Sequence, residues 1–498
     1  MNVNPITRLD YPDPDVIRVE DTYYMVSTTM HFMPGCEILQ SFDLVHWEHV
    51  TYVYETLDHT DAQQLKSGQN IYGQGMWAAS LRYHEGRFYI CFVANDTRKT
   101  YLYTSEKIDG PWKKQLIEGF YHDGSLLFDE DGRNYIVYGN DEIWITELNE
   151  DLTAPKKDGL HRLLVSDHKN PELGYEGSHI QKINGYYYIF LVHSLRDRWM
   201  RTEACFYSDS LEGEFTGGDV LCDDRGYCGQ GVAQGGIVDT PDGKWYAMLF
   251  QDSGAVGRIP ILLPVTWKDH FPFFGQNGHV PEEIEVHSTR PGYIYQPLVG
   301  SDDFCNGLLP RWQFNHDPDP RYYHLDALQG TYTITTREVC TELTQAVNTL
   351  TQRMSYPSCA AEVTVDASAL KEGDVAGLCV LQSCYAAVGI TKHHGKYEVL
   401  MLDKKEDGIL DMTEGTVVES HQMDFRLEAD FCNMKDEARC YYRVNKGDWL
   451  PIGTVHKLYF KLDHFTGCRF GLFCYAAEET GGSACFRDFK YYDVDEIS

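Results

Sequence analysis

The sequence predicts an all-β protein, a five-bladed β-propeller followed by a jelly-roll-like β-sandwich. Three observations carry this prediction. Aromatic residues make up 13% of the chain, with 34 tyrosines against 19 prolines, and tyrosine and tryptophan favour half-buried strands. A pattern of turn and aromatic strand recurs five times in the first 300 residues. Beyond that point strands continue but the pattern stops.

The repeat reads EDTYYMVSTT, EGRFYICFVA, DGRNYIVYGN, NGYYYIFLVH and DGKWYAMLFQ, with Tyr24, Tyr89, Tyr135, Tyr188 and Tyr246 in equivalent places at intervals of 65, 46, 53 and 58 residues. Each turn is of a kind that joins antiparallel strands. Repeats of about 40–60 residues have room for four short strands, which is the unit of a propeller blade. SFDLVHWEHV, SEKIDGPWKK and SDSLEGEFTG add a further turn and aromatic inside three of the repeats. The uneven spacing and continuous strand density disfavour an array of sandwiches. From SDDFCNGLLPRWQF onward, segments such as TYTITT, AAEVTVDAS, KYEVLMLD, FRLEADF and CRFGLFCYA alternate as strands of a sandwich. The expected domains are residues 1–300 and 301–498.

Composition narrows the function. The 498-residue chain is of ordinary globular hydrophobicity and carries a formal net charge of −32, which repels nucleic-acid phosphates and anionic lipid. A neutral or cationic ligand fits better. No apolar run approaches the ~20 residues of a spanning helix, and MNVNPITRLDYPDP lacks the basic and apolar regions of a signal peptide. The fifteen cysteines are odd in number and irregularly spaced, without a CxxC pair; ten fall in the second domain, where free thiols serve as small apolar fillers. Reduced thiols and a cytoplasmic location are expected.

Counting back from each repeat tyrosine exposes a second register. Asp13, Trp77, Asp123, Glu176 and Gln234 precede their tyrosines by eleven or twelve residues. A single Asp in a turn is ordinarily just a turn, but three carboxylates at one offset in blades one, three and four would meet at the propeller axis. Two carboxyl groups flanking a bond are what glycoside hydrolysis needs: one protonates the leaving oxygen, the other activates water or attacks. A third can hold the acid protonated by like-charge repulsion. Asp15, two residues from Asp13, is a rival for the base.

The segments YPDPDVIRVEDTYYMVSTT, MWAASLRYHEGRFY, HDGSLLFDEDGRNYIVYG, YEGSHIQKINGYYYIF and GRIPILLPVTW resemble glycoside hydrolase family 43, in its β-xylosidase/α-L-arabinofuranosidase branch. The resemblance runs over nearly the whole chain and includes the C-terminal sandwich. It implies a five-bladed propeller that inverts the anomeric centre, with Asp13 as general base, Glu176 as general acid and Asp123 tuning and orienting the acid. It gives Arg258 to substrate hydroxyls and places Phe32 and Met33, with core packing as the alternative, beside the sugar subsite; Trp77 and Gln234, read from the register, complete the expected substrate-binding set. No cofactor is implied, and no metal ligands are read. A structural Ca2+ on the axis is left open, because Gln234 stands where many members have a histidine; likewise WAAS replaces the commoner run after Trp77.

GQGVAQGG lacks the lysine and the βαβ context of a phosphate loop, no GxSxG elbow occurs, and His393–His394 and EETGG read as exposed turn and loop. The sandwich either binds carbohydrate or closes one side of the active-site mouth. The expected activity is exo-acting release of terminal β-D-xylose from xylo-oligosaccharides, with α-L-arabinofuranosidase, alone or as dual activity, as the nearest alternative. A non-catalytic carbohydrate-binding protein is the alternative of another class. The partner is a small oligosaccharide, not nucleic acid or membrane; a homo-oligomer is compatible with the sequence.

Overall fold

The computed structural model describes residues 2–413 and 415–493. Five four-stranded antiparallel meanders make the first part. Blade one comprises Asp15–Val19, Thr22–Val26, Gly35–Ser41 and Glu48–Tyr54, and blade two Met76–His84, Arg87–Ala94, Lys99–Ser105 and Lys113–Ile117. Blade three comprises Ser125–Phe128, Asn134–Asn140, Glu142–Leu148 and His161–Ser166. Blade four comprises Glu176–Ile183, Tyr186–Ser194, Arg201–Ser208 and Thr216–Leu221, and blade five Ala233–Asp239, Trp245–Asp252, Arg258–Lys268 and Phe271–Phe274. The first strand of each blade lies against the first strands of both neighbours, so these five strands surround the axis.

The aromatic repeat has a packing explanation. Each repeat tyrosine sits in the second strand of its blade and packs into the apolar wedge shared with the next blade. Tyr24 joins the cluster between blades one and two, and Tyr89 the one between two and three. Tyr135, Tyr188 and Tyr246 do the same around the rest of the ring, the last against blade one. The turns before these strands follow local chemistry: Glu85–Gly86 and Asn184–Gly185 both have positive φ at both positions, which suits the right-handed twist of a two-residue hairpin. The three turn-plus-aromatic segments link the third strand of blades one, two and four to the fourth.

Among the described residues no strand is exchanged to close the ring. Instead the N-terminal segment clamps blade five to blade one. Asn2–Val3 pairs with Glu283–Ile284, and the Asn4 side chain donates to Leu262 O and Pro281 O while accepting from Leu262 N. Arg18 of blade one is ion-paired with Asp239 of blade five.

The second part is a two-sheet sandwich. One sheet orders Leu410–Met412, Lys396–Lys404, Ala386–His393, Asp374–Leu381, Arg469–Ala476, Leu350–Arg353 and Gln313–Asn315. The other runs Tyr323–Asp326, Thr331–Thr335, Ser483–Asp493, Ser358–Asp366, Gln422–Asp430, Glu437–Val444 and Leu450–Lys457. Leu378 and Val380 face the core between the sheets, whereas Cys379 and Leu381 pack on the opposite face against Leu343 and Ala346. After Asp374 this strand is apolar because both of its faces are covered.

The larger sheet ends on the propeller itself: Phe32–Met33 pairs with Phe314 and Asn315. Arg353 crosses the same junction, donating to Asp10 O and to Glu37 Oε2 at 2.8 Å. All fifteen cysteines are free. His393 and His394 lie in an exposed hairpin turn, and the EETGG segment is mostly exposed loop.

Candidate active site

The second register resolves into one structural position, the entry to each innermost strand. Asp13, Asp123 and Gln234 occupy it with φ of 52°, 47° and 63°. In blades two and four the left-handed residue comes one place later, at Ala78 and Gly177, and bulges break the pairing after Trp77, Glu176 and Ala233. Bulges at such rims re-aim side chains, and the entries of all five inner strands converge on one mouth.

Asp13 is buried, with Oδ1 3.0 Å from Arg258 Nη1 and Oδ2 accepting from the Thr28 hydroxyl at 2.5 Å. Thr28 is itself held, since its Oγ1 accepts from Ala78 N. Arg258 is 2% exposed and keeps Nε and Nη2 without partners. Its guanidinium lies between the rings of Phe250, at 5.2 Å, and Phe465, at 4.3 Å. It therefore offers fixed donors beside Asp13.

Glu176 keeps one-fifth of its side chain exposed and accepts from Asn140 Nδ2 at 2.8 Å. Asp123 is buried and accepts from Gly177 N at 3.0 Å. Burial pushes the Asp123 carboxyl up, His122 opposes this, and Glu176 and Asp13 add to the rise, leaving it at about 6. Two carboxyls in apposition, one buried and one open, are the arrangement in which one group holds a proton for the other.

Asp15 is not the base. It is 1% exposed, paired with Arg82 Nη1 at 2.8 Å, accepts from Leu81 N and meets His179 Nδ1 at 3.2 Å. Burial alone would raise its carboxyl, but Arg82 and His179 hold it below the usual range. It plugs the axis beneath the site. Gln234 lines the same level with Asp13, Asp123, Ser178 and His179 around a cavity of about 10 Å³, room for one water. Calcium takes six to eight oxygens, and with Asp15 already committed the donors here do not fit it.

Phe32 and Met33 require correction. Phe32 is 2% exposed beneath Arg469, whose guanidinium lies 3.5 Å from its ring centre, and it packs with Leu343, Tyr385 and Phe473 of the sandwich. Met33 is wholly buried between blades one and two, as is Ala79. They pack the interior because the sandwich sheet pairs with this segment and covers it.

Trp77 does stand at the mouth, its ring 5.3 Å from Phe465 and 6.1 Å from His122. Phe465 comes from the sandwich, on the loop that follows Leu450–Lys457. That loop is pressed on the propeller so closely that a Cβ on Gly73 would lie 2.7 Å from the carbonyl oxygens of Leu462 and Asp463. The sandwich thus closes one side of the mouth.

Four further site residues escaped the sequence reading. His122 precedes Asp123 directly, and Asn140 ends the repeat strand of blade three, so each lay within a quoted motif. Arg201 and Phe465 carry no periodic signal. Arg201 is buried against Trp199 and Phe250 and ion-paired with Asp252; burial and the neighbouring Arg258 lower it to about 10, while Glu176 and Asp13 oppose that.

A propeller mouth with an arginine-clamped carboxylate, an open carboxyl and a third, buried carboxyl beside it defines a glycosidase. Comparison with known proteins agrees. Residues 3–272 match the model of glycosyl hydrolases family 43, and residues 301–492 match that of the β-xylosidase C-terminal concanavalin A-like domain. The chain belongs to glycoside hydrolase family 43.

It is 26% identical to a β-xylosidase of Formosa agariphila, over 99% of this chain and 89% of that protein. It is 25% identical to a xylosidase/arabinosidase of Humicola insolens, over 98% and 96% of the two. A solved structure described as a bifunctional GH43-CE protein of Bacteroides eggerthii superposes with a TM-score of 0.93 at 42% identity, over 99% of this chain. The chain spans 64% of that longer protein.

Proposed function

We propose that the chain removes single terminal β-D-xylosyl residues from short xylo-oligosaccharides with inversion at the anomeric carbon. The observation that carries this reading is the contact of Phe465, a sandwich residue, with both Trp77 and Arg258 at the propeller mouth, where it walls one side of the site. A wall on that side favours chain ends over chain interiors.

In this mechanism Asp13 takes a proton from a water as its oxygen bonds to C1. The bond from C1 to the leaving oxygen breaks, and that oxygen takes the proton of Glu176. Arg258 holds Asp13 in place and presents its spare N–H groups to sugar hydroxyls. Asp123 stays anionic, so that the proton resides on Glu176.

Cleavage of α-L-arabinofuranosides at the same carboxyls is the second reading, supported by the relative named for both activities. Single pocket contacts discriminate by only about 1–3 kcal/mol, so dual activity is compatible with one site. The test is kcat/KM on aryl β-D-xyloside and aryl α-L-arabinofuranoside with one preparation. A ratio of about ten or more for the xyloside is expected from such contact energies; the reverse ratio would assign the arabinofuranosidase. For location we propose a reducing, cytoplasmic setting, supported by fifteen unpaired cysteines, of which Cys222, Cys228, Cys305 and Cys432 are exposed.

A further inference from the structure

His122 occupies a place that the three-carboxylate scheme does not use. Its Nε2 lies 3.6 Å from Asp123 Oδ2 and 3.6 Å from Glu176 Oε2, and the three groups' ligand atoms lie within 4.8 Å of one another. Its own carbonyl accepts from Gly139 N, which ties the residue to the strand carrying Asn140. Trp77 covers its ring from blade two. Nε2 is buried and, at 3.6 Å from each carboxyl, lies just beyond ordinary hydrogen-bond distance of both, close enough to act on them through its charge and to hydrogen-bond Glu176 on a small shift.

The need for such a charge follows from where Asp123 sits. An anion is required there to keep the proton on Glu176, yet Asp123 is the more buried of the two carboxyls, and burial favours its neutral form. Left alone, the pair would place its proton on the wrong member. We propose that His122 is a positioning residue whose imidazolium, set between Asp123 and Glu176, holds Asp123 as the anion and so leaves the proton on Glu176.

The charges facing His122 support this. Asp123 contributes most, with Glu176 and Asp13 adding to it against burial, and together they raise the imidazole to about 9. It is thus cationic across the neutral range. The same imidazolium is the first influence that opposes the burial of Asp123.

The inference rests on Glu176 being the acid, so the test uses substrates that differ in their need for one. Xylobiose requires protonation of its leaving oxygen, whereas 2,4-dinitrophenyl β-D-xyloside departs without it. For His122→Phe, the loss of kcat/KM on xylobiose is expected to exceed the loss on the dinitrophenyl substrate at least tenfold. The basic limb of the xylobiose profile should move to higher pH, because removing a cation makes the carboxyl pair harder to ionise. His122→Arg, which restores the cation, should recover the position of that limb.

Equal losses on both substrates with an unmoved profile would mark a merely structural role and overturn the proposal; so would an unchanged enzyme. A histidine NMR titration separates this failure from that of Glu176 as acid. In the wild-type protein one imidazole should titrate near 9, and in Asp123→Asn it should return toward the ordinary range. No such displaced imidazole in the wild type would overturn the role of His122 whatever Glu176 does.

Discussion

Glu176→Gln lowers kcat/KM on xylobiose by about 10²–10⁴, the usual worth of a positioned proton donor, while activity on 2,4-dinitrophenyl β-D-xyloside falls far less. The glutamine keeps the shape and the Asn140 contact but has no proton to give. Asp13→Asn behaves differently. It removes the group that takes the proton of water, which both substrates need, so both rates collapse together. Steady-state kinetics of the two variants on the two substrates therefore assign acid and base separately. The pH profile of the wild type adds a sign. As pH falls through about 6, Asp123 takes a proton and the cluster loses that negative charge, so the acid limb of kcat/KM lies near that value and belongs to the cluster as a whole. Parallel losses for Glu176→Gln on both substrates would remove it from the acid's role.

The second large effect lies at the domain junction. Glu37 and Arg353 are 3% and 5% exposed and 2.8 Å apart, with His49 on the other carboxylate oxygen at 3.0 Å and the Tyr11 ring beneath the guanidinium at 4.1 Å. Replacing one partner leaves the other as a buried charge, which costs about 3–5 kcal/mol. Glu37→Gln and Arg353→Met each destabilise the protein by that order, and the double variant regains a large share. The pH dependence follows from the carboxyl. Burial alone would raise it, but Arg353 and His49 outweigh burial and hold it at about 2. Its contribution is thus fully present above the unfolded value near 4.3 and is lost as pH falls toward 2. Urea unfolding at pH 7 and at pH 3 should show the deficit of Glu37→Gln shrinking at the lower pH; a constant deficit would contradict the pairing.

What the sequence disclosed depended on whether the cause was local and repeated. The tyrosine register was visible because five wedges between blades impose the same demand on the same strand. The carboxylate register was visible because every inner strand begins at a left-handed residue, at Asp13, Asp123 and Gln234 and one place later at Ala78 and Gly177. Asp13 and Asp15 could not be told apart by spacing; the partners of Asp15, Arg82 and His179, come from blades two and four. Phe32 and Met33 read as a sugar border because nothing in their own segment announces the sandwich strand that pairs with them. Arg201 and Phe465 were hidden for a similar reason: Arg201 meets Phe250 and Asp252 only where blades four and five pack, and Phe465 meets Trp77 and Arg258 only where the sandwich packs on the propeller. His122 lay in plain view beside Asp123, but its meaning depends on Glu176, more than fifty residues away.

In the proposed mechanism Asp13 directs water onto the anomeric carbon while Glu176 releases the aglycone in a single displacement. The most direct test follows the anomeric protons by NMR in the first minutes of xylobiose hydrolysis, before mutarotation. The xylose released from the non-reducing end should appear first as the α-anomer. Release of β-xylose would contradict the single displacement and require a covalent intermediate.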